Sequence, residues 1–343
     1  MRSDFLSTLG TYVLAGSLAL GSAGCVKKMI LNSTIASTRI GAGAVDTIAD
    51  YDLARSAAAA GIVQFEGMHR LAPDNEDALF LLMKSWAGYG YAFAMDDYEA
   101  AFLAEDDAAA TYHQKRAKLA LDRSISYGLE LMGRRGIQGF EAASSKDSDT
   151  IKAWLKENFV EHEDADVLFW VGSAWLARVN LLKDERQYVA KLFVGVALLE
   201  RSVEIDPTQM AWGATATLGA YHARSPMAEL DEAKKLIELA LEKTQRKALG
   251  VQLNYAKYAC AKGDQALYEK MLNEILTAED PDPTLRLQNA VAKRRALRAL
   301  TKPAMEECGF RGPLPKAAPA PAASPAPAPA PAPAASPAPA PAK

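Results

Sequence analysis

The sequence predicts an all-α protein built from helix pairs that stack side by side into a solenoid. Apolar residues recur at spacings of three and four through residues 45–300, and strand-like alternation is scarce. Within that stretch proline occurs only at Pro73, Pro207, Pro226, Pro281 and Pro283, where helices would start or stop. A pattern of small and large residues also returns along the chain, the mark of a repeated supersecondary unit.

That pattern places small, large and small residues at offsets 0, 4 and 7, with proline at offset 12. Small residues let a partner helix approach, the large one fills the gap, and proline opens the next helix. Gly195, Leu199, Ser202 and Pro207 match throughout, and Gly61, Phe65, Met68 and Pro73 depart only at Met68. Ala117, Leu121, Ser124 and Ala233, Ile237, Ala240 match without the proline. The pattern is that of the second helix of a tetratricopeptide repeat. After Pro73, Leu79, Leu82, Met83 and Trp86 fall where the next first helix would place its core side chains. The four start points lie 56, 78 and 38 residues apart, longer than the standard repeat of about 34. The repeats are therefore degenerate and carry insertions. Such a stack curves and offers a concave face, a ligand cleft or a pore. The competing expectation is a non-repetitive helical bundle, which uses the same small–large–small packing.

The two ends differ from this middle. Residues 5–24 carry no charge and lead through Ala23-Gly24 to Cys25. An apolar stretch followed by small residues reads as a secretory signal. Small residues directly before a cysteine resemble a bacterial lipobox, with Cys25 as the lipidated first mature residue. The alternative is an uncleaved membrane helix of about twenty residues. Val26 after the cysteine, by the same resemblance, implies sorting to the outer membrane. From Ala317 to Lys343 the chain is Ala-Pro repeats broken by Ser324 and Ser336. Proline at this density prevents a helix and favours an extended polyproline form, about 80 Å long at ~3.1 Å per residue. The expected organisation is a signal peptide at 1–24, a lipid-anchor linker at 25–44, a helical domain at 45–305 and an Ala/Pro-rich tail at 306–343.

Composition excludes several function classes. The chain of 343 residues has a net charge of −3, and its acidic excess is larger without the ends. An acidic body lacks the basic face that nucleic acid requires. Three cysteines, Cys25, Cys260 and Cys308, make neither a disulfide scaffold nor a zinc module. Cys260 falls on an apolar helix face and reads as a buried thiol, with pairing to Cys308 left open. His69, His113, His162 and His222 are scattered, and no phosphate loop or nucleophile elbow occurs. Neither an enzyme nor a cofactor protein is expected. Glu161-His162-Glu163-Asp164 with Asp166 reads as a solvated acidic loop before a helix rather than a metal site.

Several segments resemble a known family in order and spacing. They are Phe65-Glu66-Gly67 through Asp74-Asn75-Glu76-Asp77, and Trp86 through Phe93; then Leu168-Phe169-Trp170 with Ala174-Trp175, and Ala197 through Arg201 with Asp206-Pro207. Asn254-Tyr255-Ala256 with Lys262-Gly263-Asp264, and Leu287-Gln288-Asn289-Ala290, complete the series. Together they resemble the TatT components, periplasmic tetratricopeptide lipoproteins associated with TRAP-type solute transporters. The resemblance implies a cleft or pore, a TRAP solute-binding subunit as partner, an apolar small molecule as cargo, and admits a homotrimer. The rival function is a lipid-anchored envelope-assembly scaffold that takes a protein partner only.

Aromatic residues on predicted first helices are candidates to wall the cleft: Tyr89 and Phe93 on one, Trp170 and Trp175 on another, and Trp212 on a third. Arg178, one turn from Trp175, could meet a carboxylate on an organic-acid cargo. Asn180, Asn254 and Asn289 sit in or beside apolar helical runs, where a buried amide must bond either backbone or ligand. Ordinary core packing is the alternative for each.

Overall fold

The structure, a computed structural model, describes residues 26–224 and 229–311. Cys25, Pro226 and the Ala-Pro stretch lie outside the described residues. Helix α1 spans 26–41 and a 3-10 turn follows at Ala42–Thr47. Helices α2 (Tyr51–Leu71) and α3 (Glu76–Tyr89) come next, then a π-helical turn at Gly90–Ala94 that runs straight into α4 (Met95–Leu103). The middle holds α5 (Asp107–Arg134), α6 (Phe140–Ser145), α7 (Ser148–Asn158), α8 (Asp164–Leu181), α9 (Arg186–Val189) and α10 (Leu192–Ile205). The last part holds α11 (Gln209–Arg224), α12 (Leu230–Lys243), α13 (Leu249–Lys262), α14 (Gln265–Thr277), α15 (Arg286–Ala299) and α16 (Lys302–Glu307). No strand occurs among the described residues.

Local chemistry sets many of these boundaries. Asp50, Asn75, Asp106, Asp147 and Asp264 each accept a backbone N–H of the helix they open, filling donors that have no partner in the first turn. Pro73 and Pro207 fall between helices, and Pro281 and Pro283 precede α15. Gly263 ends α13 with φ +75°, a backbone position that a Cβ would strain.

The repeat pattern is visible in the packing. On α5, Ala117, Leu121 and Ser124 are fully buried, and the Ser124 hydroxyl donates to the Met83 carbonyl of α3 at 2.9 Å. Leu199 and Ser202 of α10 are buried likewise, with the Ser202 hydroxyl donating to Ala165 O of α8 at 2.8 Å. Ala233, Ile237 and Ala240 of α12 are fully buried, and the pair α11–α12 closes over Gly219, whose added Cβ would lie 2.6 Å from Ile237. The long intervals between starts are the insertions: α4 lies between α3 and α5, and α6 and α7 lie between α5 and α8. The pair α13–α14 carries no small–large–small signature, because Tyr268, Met271, Leu272 and Ile275 fill its interface with large side chains.

Gly128 marks the tightest approach. A Cβ there would sit 2.2 Å from Val171 Cγ2 and 3.1 Å from Met83 Sδ. Gly128→Ala is expected to lower unfolding free energy by about 1–3 kcal/mol through overpacking, despite alanine's better helix propensity. Urea denaturation checks this, and a rise in midpoint would show that α8 can move away from α5.

The row of pairs does not stay open. Helix α15 returns to α2 and to the Ala42–Thr47 turn, where Leu287 and Val291 join Ala54 and Phe93 in an apolar cluster. One large core runs from Leu79 to Leu218, a second from Ala216 to Phe310, and they meet on α11. The solenoid is thus closed, last helices against first.

Three expectations change at the ends. The segment expected to be a linker is mostly helix α1, fixed by buried Ile35 and by Arg39, which bonds Asp77 at 2.7 Å. The fold also extends past residue 305, since Phe310 is buried in the second core. Cys260, expected as a thiol, is joined to Cys308 by a disulfide that ties the end of the fold to α13. The helix face predicted apolar there is one wall of that bridge.

Candidate functional site

The π-helical turn Gly90–Ala94 organises the inner side of the ring. Gly90 approaches α5 closely, and an added Cβ would lie 3.1 Å from Leu121. The wide turn shifts the register between α3 and α4, a device common at functional sites. Phe93 points into the core at 1 % exposure, while Tyr91 remains 43 % exposed. Two carbonyls of the turn take side-chain donors: Arg295 Nη2 donates to Tyr91 O at 2.7 Å, and the Tyr51 hydroxyl to Ala92 O at 3.0 Å.

One turn later stands Asp96, a carboxylate with 0 % exposure. It accepts from Arg294 Nε at 2.5 Å, Arg298 Nη2 at 2.6 Å and the Tyr51 hydroxyl at 3.1 Å. Glu99 meets Arg298 at 2.7 Å and Arg295 Nε at 3.4 Å. Burial by itself would raise the Asp96 pKa, but Arg298, with hydrogen bonds from Arg294 and Arg298, holds it below the usual carboxylate value. This network clasps α15 to α4 and so closes the ring.

Beside the clasp further charged groups come together. Arg224, at the end of α11, is exposed, yet desolvation by surrounding protein pulls its pKa down. Lys257 of α13 keeps contact with water, yet burial lowers its pKa, with Arg224 and Arg295 adding repulsion. Tyr91 is held below its ordinary value by Arg295 above all, helped by Lys257, against the opposing effect of burial. The charges acting on one another come from α4, α11, α13, α15 and α16: Glu99, Arg224, Lys257, Arg295 and Glu307. Asp96 and Glu99 are occupied by Arg294, Arg295 and Arg298. Lys257 and Arg224 have no carboxylate in salt-bridge range among the described residues; Lys257 donates only to Asn254 Oδ1 at 3.2 Å. The cluster therefore holds two cations outside the ion pairs of the clasp, beside the Tyr91 ring over which Arg295 lies at 4.1 Å.

The sequence candidates are distributed among different environments. Asn254 touches this charged cluster by accepting from Lys257. Tyr89 and Phe93 flank the π turn on its packed side, with Tyr89 accepting from Arg116 at 2.9 Å and Phe93 stacked edgewise on Tyr51. Trp170 and Trp175 belong to the first core, and Trp175 Nε1 donates to Lys191 O at 2.9 Å. Arg178, expected to meet a ligand carboxylate, meets Asp122 of α5 at 2.9 Å instead. Asn180, expected in an apolar run, is exposed at the end of α8. Asn289 is buried and fully used by backbone: it accepts from Leu249 N at 2.9 Å and donates to Lys247 O at 3.1 Å. Trp212 packs half-buried against the second core, carried by three successive left-handed residues, Met210, Ala211 and Trp212. Each such residue costs about 1–2 kcal/mol in L-amino acids.

Sequence reasoning passed over Tyr91 as one aromatic among several, and missed Asp96, Glu99, Arg224, Lys257 and Arg295. The usable signals were a lysine inside the apolar run Leu253 to Cys260 and the arginines of α15. In the acidic loop, α8 begins at Asp164, which caps Glu161 N at 3.0 Å and lies 3.5 Å from Arg135. Among the described residues no cluster of three or more His, Cys, Asp or Glu is placed to hold a metal ion.

No curated protein matches the chain. The family described as the TRAP transporter T-component matches residues 47–305, from the turn before α2 into α16. This all-α chain of helix pairs, matched over almost all of its folded length, is a member of the TRAP transporter T-component family.

Proposed function

We propose that the protein serves a TRAP transporter outside the cytoplasmic membrane, docking the periplasmic solute-binding subunit and holding an organic anion in a central hollow beside Lys257 and Arg224. The observation that carries the reading is the pair Lys257 and Arg224, desolvated neighbours with no carboxylate in salt-bridge range among the described residues, Glu99 acting on both only from farther away. A desolvated ammonium without a counter-ion is costly, and an incoming carboxylate relieves that cost. Tyr91 supplies an apolar edge for the rest of the ligand. The disulfide Cys260–Cys308 supports a periplasmic location, because such bonds persist in oxidising compartments and are rare in the cytosol. Among the described residues no helix is long and apolar enough to cross a membrane, and attachment through Cys25, outside those residues, is the anchoring this reading takes.

Native mass spectrometry of the protein with a co-purified acid tests this. Lys257→Met keeps the aliphatic stem and removes the charge. Loss of a charge-assisted hydrogen bond is expected to weaken anion retention about ten- to hundred-fold while circular dichroism stays unchanged. Equal retention in wild type and variant rules out the hollow as the anion site. Capture of the solute-binding subunit with no small molecule bound would favour a scaffold that takes a protein only.

Retention should also depend on pH. Lys257 loses its proton below the ordinary lysine value of 10.5, and Tyr91 loses its proton below 10.0. Both changes reduce positive charge facing Arg224, Arg295 and Glu99, so affinity should fall as pH rises, earlier than for an exposed lysine. A titration of anion binding between neutral pH and pH 10 reads this.

A further inference from the structure

The first helix carries a second feature that the hollow does not use. In α1, Ile35 faces the domain and is fully buried, whereas Val26, Met29 and Ile30 project from the opposite side. Met29 is 65 % exposed. Helical geometry places these three on one stripe, and the same stripe continues as Ser33 and Ser37, which are polar. Ile40, 85 % exposed, ends the stripe, and three of its four apolar members lie at the end of the helix where the chain arrives from Cys25. Across a cleft of about 470 Å³ stands the end of α2, with Leu71 72 % exposed. Lys27 and Lys28 line that cleft, and its acidic member Asp74 is bonded to Arg134 at 2.5 Å. The end of the molecule therefore combines bare apolar side chains, two lysines with no ion pair among the described residues, and the junction with an apolar stretch of twenty uncharged residues and a cysteine.

We propose that this end is a membrane foot: Val26, Met29, Ile30 and Leu71 enter the interfacial layer of a phospholipid bilayer, and Lys27 and Lys28 meet lipid phosphates. Amphipathic segments bind bilayers by this combination of apolar insertion and attraction to anionic headgroups. Because α1 is fixed to the domain by Ile35 and by the Arg39–Asp77 ion pair, the foot holds the ring at a set orientation to the membrane. The inference rests on the envelope location in the proposed function, and is independent of what the hollow binds.

Hydroxyl-radical footprinting of the full-length chain in phosphatidylcholine vesicles, with and without phosphatidylglycerol, tests it. Relative to the same residue without vesicles, Met29, Ile30 and Leu71 should oxidise several-fold more slowly, whereas Tyr112 and Val160, comparably exposed elsewhere, should not change, with stronger protection when phosphatidylglycerol is present. Lys27→Glu with Lys28→Glu should reverse the protection, since two lysines near an anionic surface are together worth about 30-fold in bound population. Low oxidation of buried Phe80 in every sample shows that the fold is intact. Met29 oxidation that neither vesicle type changes overturns the proposal. Protection that follows protein concentration rather than lipid composition also overturns it, because a second copy would then cover the patch. Ligand retention by the hollow is read separately, so loss of one result leaves the other standing.

Discussion

Replacing Asp96 by asparagine is expected to lower the unfolding free energy by about 3–5 kcal/mol, the range for breaking a buried ion pair from one side. The side chain keeps its shape, so packing changes little. What is lost is the anion that gathers Arg294 and Arg298 and lies 4.0 Å from Arg295, itself only 6 % exposed. Two of those guanidiniums also have other work, over Tyr51 and over Tyr91, and cannot simply swing into solvent. Urea unfolding of the variant should show a lower midpoint, and hydrogen exchange should rise first in α15 and the π turn. A midpoint equal to wild type would mean that the ring is closed by the apolar cluster of Ala54, Phe93, Leu287 and Val291 alone. The same carboxylate sets an acid limb. Its folded pKa lies below the ordinary 3.8, so the folded state binds this proton more weakly than the unfolded chain. The contribution is complete above the unfolded value and vanishes as pH falls through the lower folded one. Asp96→Asn should flatten stability against pH below about 4.

Loss of the Cys260–Cys308 bond is the second large effect. The two residues are 48 apart in sequence, and closing a loop of that length lowers unfolded-state entropy by an amount worth about 4 kcal/mol at 25 °C. Cys308→Ser, or reduction of the wild type, should therefore lower stability by about 2–5 kcal/mol. Buried Met305 and Phe310 pack in the same region, so α16 should remain docked in part while becoming more open to exchange. Because the bond joins a late segment to α13, which carries Lys257, anion retention should weaken as well. Equal denaturant midpoints for oxidised and reduced protein would show that Met305 and Phe310 suffice to hold the end of the chain.

Much of the architecture was legible because it follows from local rules. The spacing of apolar residues, the aspartates and Asn75 at helix starts and the prolines between helices each act within a few residues, so the elements could be read in order. The triplets Ala117-Leu121-Ser124 and Ala233-Ile237-Ala240 were readable because close helix packing demands small residues at fixed offsets. The pair α13–α14 escaped because large side chains can build an equivalent interface. Asn289 and Arg178 show where local reading fails. Each looked like a ligand group because a polar side chain in an apolar run needs a partner, but that partner came from residues about forty to sixty positions away, Lys247 and Leu249 for one and Asp122 for the other.

The sequence by itself determined an all-α chain of degenerate helix pairs, its ends distinct in composition from its middle, because periodicity, capping and proline act locally. Tertiary packing alone settles that the row closes into a ring, that Cys260 meets Cys308, and that Tyr91, Arg224, Lys257 and Arg295 come together in one charged cluster. Those facts depend on contacts between residues as many as two hundred positions apart, such as Asp96 with Arg298. Their formation is governed by how each pair leans on the next, an angle summed over the whole stack that no short stretch of residues encodes.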